Sequence, residues 1–207
     1  MLKFFKSKLR QFRREDEGAM VVEAMIMFPT LFAAVIATFV FFDAFRNQSI
    51  NLKAAYTISE AFSREELYIT NRFINNTWRL HRFLTNSTDL TKMRVTLIQY
   101  IDDTDDGTDN GDYFVVWSRQ KGGAGTLNNN GLAQMDGRDE IPVMPHRETL
   151  ILVQTWVDYE PNFSIGLGAF TFENAIFTRP RFAPNGICYD HNGNANGSEI
   201  CPVGGGA

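Results

Sequence analysis

Residues 15–43 read EDEGAMVVEAMIMFPTLFAAVIATFVFFD, and the reading of this stretch decides the fold. Between Ala19 and Phe42 stand 24 residues with a single charge, Glu23. As an α-helix they would measure roughly 36 Å at about 1.5 Å per residue, enough to cross a hydrocarbon core of about 30 Å. The run is apolar on all faces, whereas a surface helix of a soluble domain keeps a polar one. It is longer than the apolar region of about 7–15 residues in a secretory signal peptide. It also ends in Phe39, Phe41 and Phe42 rather than at a small-residue cleavage site. Pro29 falls inside it, and membrane helices tolerate a proline with a kink and one missing backbone hydrogen bond.

Charge gives the run a direction. Residues 1–18 hold six Lys and Arg against three acids, a net of +3, while the remainder carries 14 basic and 21 acidic residues, a net of -7. Basic residues flanking one end of an apolar helix stay in the cytoplasm. The N-terminus is therefore expected inside and the long C-terminal part outside. An acidic body argues against nucleic acid as a partner, because phosphate binding needs clustered basic residues.

Glu23 needs a reason. An ionised carboxylate at a helix centre costs roughly 2.5–3.5 kcal/mol on insertion scales, less near the interface, and such residues are often functional. Reaching the headgroups from the first turn is the simplest account. Its neighbours suggest another: a basic leader ends in Gly18, the apolar run opens at Ala19, and Glu23 takes the fifth place of that run. This resembles a type IV prepilin processing site, with Gly18 as the last leader residue and Ala19 as the new N-terminus. The resemblance implies that Glu23 neutralises the N-terminal amine of an adjacent subunit within the lipid. A pair of opposite charges is less costly there than either charge alone.

The segment FRREDEGAMVVEAMIMFPTLF, with Pro29 six residues beyond Glu23, resembles the N-terminus of TadE/TadG-like proteins, minor pseudopilins of the tight-adherence (Tad, type IVc) pilus. RETLILVQTWVDYEP at 147–161 and LGAFTFENAIFTRPRF at 167–182 look like the C-terminal half of the same family. The likeness covers residues 10–100 and 140–182, and 183–207 has no counterpart. It implies cleavage after Gly18 by a prepilin peptidase and a part in pilus assembly and adhesion. The partners it implies are other pilin subunits, the inner-membrane assembly platform and membrane lipid. It implies a bacterial inner-membrane location, with the head in the periplasm or on the extracellular pilus.

Beyond Phe42, Ala44, Ile50, Ala54, Ala55, Ile58, Ala61 and Phe62 recur near helical spacing, which predicts that the helix continues to about Arg64. A second amphipathic helix is expected from Glu66 to about Phe83, with Leu67, Phe73, Ile74, Trp78, Leu80 and Phe83 as its apolar set and Asn86 among its stop signals. Then the period shortens. Residues 93–101, 113–121, 149–160 and 170–182 are β-branched and aromatic and read as strands, with 122–139 a Gly- and Asn-rich loop. The expected fold is α+β: a leader (1–18), a transmembrane and stem helix (19–65), a head with a small antiparallel sheet (66–182) and a tail (183–207).

Four groups of residues could carry chemistry. DDTDDGTDNGD at 102–112 carries oxygens at Asp106, Thr108, Asn110 and Asp112, as in the first half of a calcium loop. The twelfth position is Trp117 rather than a bidentate Glu, so a polar hairpin turn is the first reading and a calcium site the second. Asp190-x-Asn192-x-Asn194-x-Asn196 reads as flexible polar tail. Cys188 and Cys201 fall outside the membrane, where a pair is expected to form a disulfide. His81 is expected on a solvated helix face beside Arg79 and Arg82. No histidine stands beside a nucleophile motif, and no phosphate-binding loop, dinucleotide fingerprint or metalloprotease motif occurs, so no enzyme is expected. Two alternatives to a pseudopilin stay open: an unprocessed membrane anchor whose head binds envelope partners, and a tethered calcium-dependent adhesive module.

Overall fold

The computed structural model describes residues 17–66, 68–87, 91–102, 111–163, 166–183, 186–191, 193 and 198–204, with the side chains of 17–19 left aside. The order is α1 (Glu17–Ser63), β1 (Tyr68–Thr70), α2 (Asn71–Thr85), β2 (Lys92–Ile101), β3 (Asp112–Lys121), α3 (Asn129–Asp136), β4 (Thr149–Tyr159), β5 (Phe170–Thr178) and β6 (Cys188–Asp190). The protein is α+β, with a long apolar N-terminal helix and a four-stranded antiparallel sheet ordered β3-β2-β4-β5. Two compact units result. One takes in the chain to Phe45 with Glu160–Ala169; the other takes in Arg46–Tyr159 with Phe170–Ala207.

In the second unit, one face of the sheet carries Met93, Val95, Leu97, Ile151 and Val153. Ile58 and Phe62 of α1, Ile74 of α2, Ile69 of β1, and Ile187 and Tyr189 of β6 and its approach share that core. The helix from Arg46 on therefore belongs to the same compact unit as the sheet, and Ile58 and Phe62 to its core. The opposite face buries Ile98 and Leu152 under Leu132 and Met135 of α3, with Leu127 and Ile141. α3 lies inside the stretch expected as loop. Eight residues with Gly131 among them make a poor helix alone. Asn128 starts it by accepting a hydrogen bond from Gly131 N–H (2.9 Å), and burial of Leu132 and Met135 holds it.

Two further expectations are corrected. α2 begins at Asn71 rather than near Glu66, because Thr70 caps it through Phe73 N–H (3.1 Å) and Tyr68–Thr70 pairs with β6 instead. Its buried residues are Ile74, Thr77, His81 and Thr85, while Leu80 and Phe83 of the expected apolar set are exposed, Phe83 at 80%. The threonines turn inward at little cost because Thr77 Oγ1 donates to the carbonyls of Phe73 and Ile74, and Thr85 Oγ1 to that of His81. The other correction concerns the C-terminal segment. β6 pairs in parallel with β1, with Asp190 opposite Thr70. Ile187, Tyr189 and Asp190 are buried, so Asp190 is part of a strand and not of a flexible tail.

Candidate functional site

α1 carries the first candidate site. Gly18 and Ala19 lie in its opening turn, and Glu23 projects from the turn after. Ala19 and Glu23 are four positions apart along the helix, about one turn. Glu23 is exposed, and so are Met20, Val21, Val22, Met25, Ile26, Met27 and Phe28 around it. Only 6% of the most apolar window of the helix is buried within the chain, which separates it from the core helix of a soluble domain. By length and composition the helix could span a membrane. Its hydroxyls suit an apolar setting: Thr30 Oγ1 donates to the carbonyls of Ile26 (3.0 Å) and Met27 (2.8 Å), and Thr38 Oγ1 to that of Ala34 (2.8 Å). Pro29 lies within the helix without ending it.

The C-terminal end of the same helix is clasped by the segment that follows β5. Ser63 Oγ donates to the carbonyl of Arg179 (2.7 Å), and Arg181 N–H donates to the carbonyl of Ser63 (2.9 Å). Arg181 also pairs with Glu60 (3.1 Å) and Arg179 with Glu148 (2.8 Å). A helix end leaves its last carbonyls without partners. Here the RPR segment meets one of them and pairs its two arginines with acids on α1 and before β4. Nothing in the RPR triplet marks this role on its own, because Glu60 and Ser63 lie more than a hundred residues upstream and Glu148 stands before another strand.

The cysteines form the expected disulfide, Cys188–Cys201, with Cα atoms 4.3 Å apart. It closes an arm that is fastened elsewhere too. Tyr189 and Ile200 exchange backbone hydrogen bonds (2.9 Å each), Gln99 bonds both the N–H and the carbonyl of Val203, and Trp117 Nε1 donates to the carbonyl of Ile187 (2.9 Å). Asp106, Thr108 and Asn110 lie outside the described residues. Asp112 opens β3 opposite Ile101, the first pair of the hairpin. Among the described residues no group of three or more His, Cys, Asp or Glu gathers as a metal site would need.

His81 is the residue the sequence misplaces. It is fully buried rather than solvated, and neither ring nitrogen has a hydrogen-bond partner among the described residues. Burial lowers its pKa to about 4. His146 accepts the backbone N–H of Asp102 at Nδ1 (2.9 Å), and His191 meets the Tyr189 hydroxyl (3.3 Å). No protein-family model, curated protein or solved structure matches the chain.

Proposed function

We propose that this chain is a minor pseudopilin of a tight-adherence type pilus, inserted with its N-terminus in the cytoplasm and cut after Gly18. The observation that carries the reading is a bare apolar helix segment whose one carboxylate, Glu23, follows Gly18 by five residues, in the second turn of the helix. Cleavage would create an ammonium at Ala19 in the same apolar surroundings as Glu23. The two charges then attract, within one chain or between neighbouring helices, and either pairing lowers the cost of holding both in lipid. The remaining apolar surface of the helix would pack against lipid and other pilin helices, leaving the head free to meet further subunits.

The test is the mature N-terminal residue of the membrane-associated protein, read by mass spectrometry. The expected chain begins at Ala19, and Gly18→Ala prevents the cut. In Glu23→Ala, processing continues while pilus assembly fails. A chain that begins at Met1 overturns the proposal and leaves a plain membrane anchor. For the calcium-dependent alternative, adhesion would have to fall with chelator and with Asp106→Ala plus Asp112→Ala.

A further inference from the structure

The two edges of the sheet are unlike. β3 is guarded: its register shifts between Leu97 and Ile98 of its partner, leaving Val116 out of the pairing. α3 lies beside it, the N–H of Val115 is taken by Asn129 Oδ1 (2.8 Å), and Asp112, Arg119 and Lys121 charge the strand. Bulges, charges and covering elements are how proteins block edge-to-edge pairing. β5 has no bulge and a single charge. It pairs with β4 over nine residues without a shift, contains no Lys, Arg, Pro or Gly, and carries Glu173 as its one charge. Its Thr171 and Asn174 side chains turn back to Asp158 and Thr155 of β4. Among the described residues, its backbone makes no hydrogen bond outside the ladder with β4.

We propose that the free edge of β5 pairs with β5 of a second copy, antiparallel and centred on Asn174. The strand is complementary to itself in that register. Phe172 falls opposite Ile176, both buried and on the face that carries Val153, so the apolar faces of the two sheets would run on along one side of an eight-stranded sheet. Glu173 falls opposite the exposed Ala175, so the two like charges avoid each other. Aromatic and β-branched residues placed directly opposite stabilise such a ladder, and opposed like charges weaken it. A shift of one residue would set Phe172 opposite the exposed Ala175 and Ile176 opposite the exposed Thr171. The inference stands on the sheet alone and does not rest on the reading of α1.

The test uses the full chain in detergent micelles. Ala175→Lys sets a lysine opposite Glu173 of the other copy and is expected to tighten self-association about fivefold, since two equivalent contacts change together. Ala175→Glu is expected to loosen it about fivefold, and Glu173→Lys added to Ala175→Glu to restore it. Because the chain has no free cysteine, a mixture of Glu173→Cys and Ala175→Cys chains is expected to cross-link to each other. A mixture of Thr171→Cys and Ala175→Cys chains is expected to cross-link much less. Association that ignores all three charge variants, or cross-linking equal in both mixtures, overturns the β5 pairing. Either result leaves the N-terminal processing test untouched, so the two proposals fail separately.

Discussion

A buried imidazole with no hydrogen-bond partner among the described residues makes the head sensitive to acid. The unfolded chain binds a proton at His81 near the ordinary histidine pKa of about 6.5, but the folded chain does so only at about 4. Between those values the unfolded state holds more protons, so stability falls as pH falls, and the contribution is fully present above about 6.5. The loss across the window is about 3 kcal/mol. His81→Leu should remove that slope: its unfolding midpoint at pH 5 should lie much closer to its midpoint at pH 7 than in the wild type. Equal pH dependence in both proteins would show that His81 gains a partner on protonation. The sequence concealed this residue because Arg79 and Arg82 flank it and suggest a wet face. What sets the face is the contact between α2 and the core, where Ile74 and His81 are seven residues apart and point the same way.

At the scale of elements, local pattern carried most of the sheet. β2, β3 and β4 fall within a residue or so of the expected strands, and β5 ends at Thr178 where the RPR clasp begins. Short strands left no such trace. β1 and β6 have three residues each and pair in parallel across more than a hundred residues, which no period of two in either segment announces. The disulfide was legible from the cysteine count and from the side of the membrane that the charge asymmetry leads one to expect; what it holds was not. It closes the arm that brings Ile187 and Tyr189 to the core and a backbone acceptor to Trp117. On the chain-entropy account, a bridge across 13 residues contributes about 3 kcal/mol. Replacing both cysteines by serine should lower head stability by that order. Trp117 fluorescence should report the change, since its ring lies 5.9 Å from that of Tyr189. An unchanged midpoint would mean that Gln99, Tyr189 and Ile200 fasten the arm without the bridge.

The whole molecule presents two kinds of surface to be covered, and they answer to different chemistry. The head buries its own core on both faces of the sheet. The N-terminal helix does not: Met25, Phe28, Leu31, Phe32, Val35 and Phe42 each stand 57% exposed or more. Contiguous apolar surface of that extent marks an interaction with lipid or protein. That much was readable from composition alone, whereas the place of Glu23 in it becomes meaningful only with the basic residues and Gly18 that precede it. Insertion and assembly can then be separated. A charge at the middle of a spanning helix costs roughly 2.5–3.5 kcal/mol, so Leu31→Arg with Val35→Arg should move the chain from the carbonate-resistant membrane fraction to the extractable one. Glu23→Gln removes a charge and should leave the chain as firmly embedded as the wild type, while depriving a processed Ala19 amine of its counter-ion. If the double arginine chain remains embedded, α1 is covered by protein rather than lipid. If Glu23→Gln is extracted, the carboxylate contributes to anchoring, and its role begins at the membrane surface rather than between assembled helices.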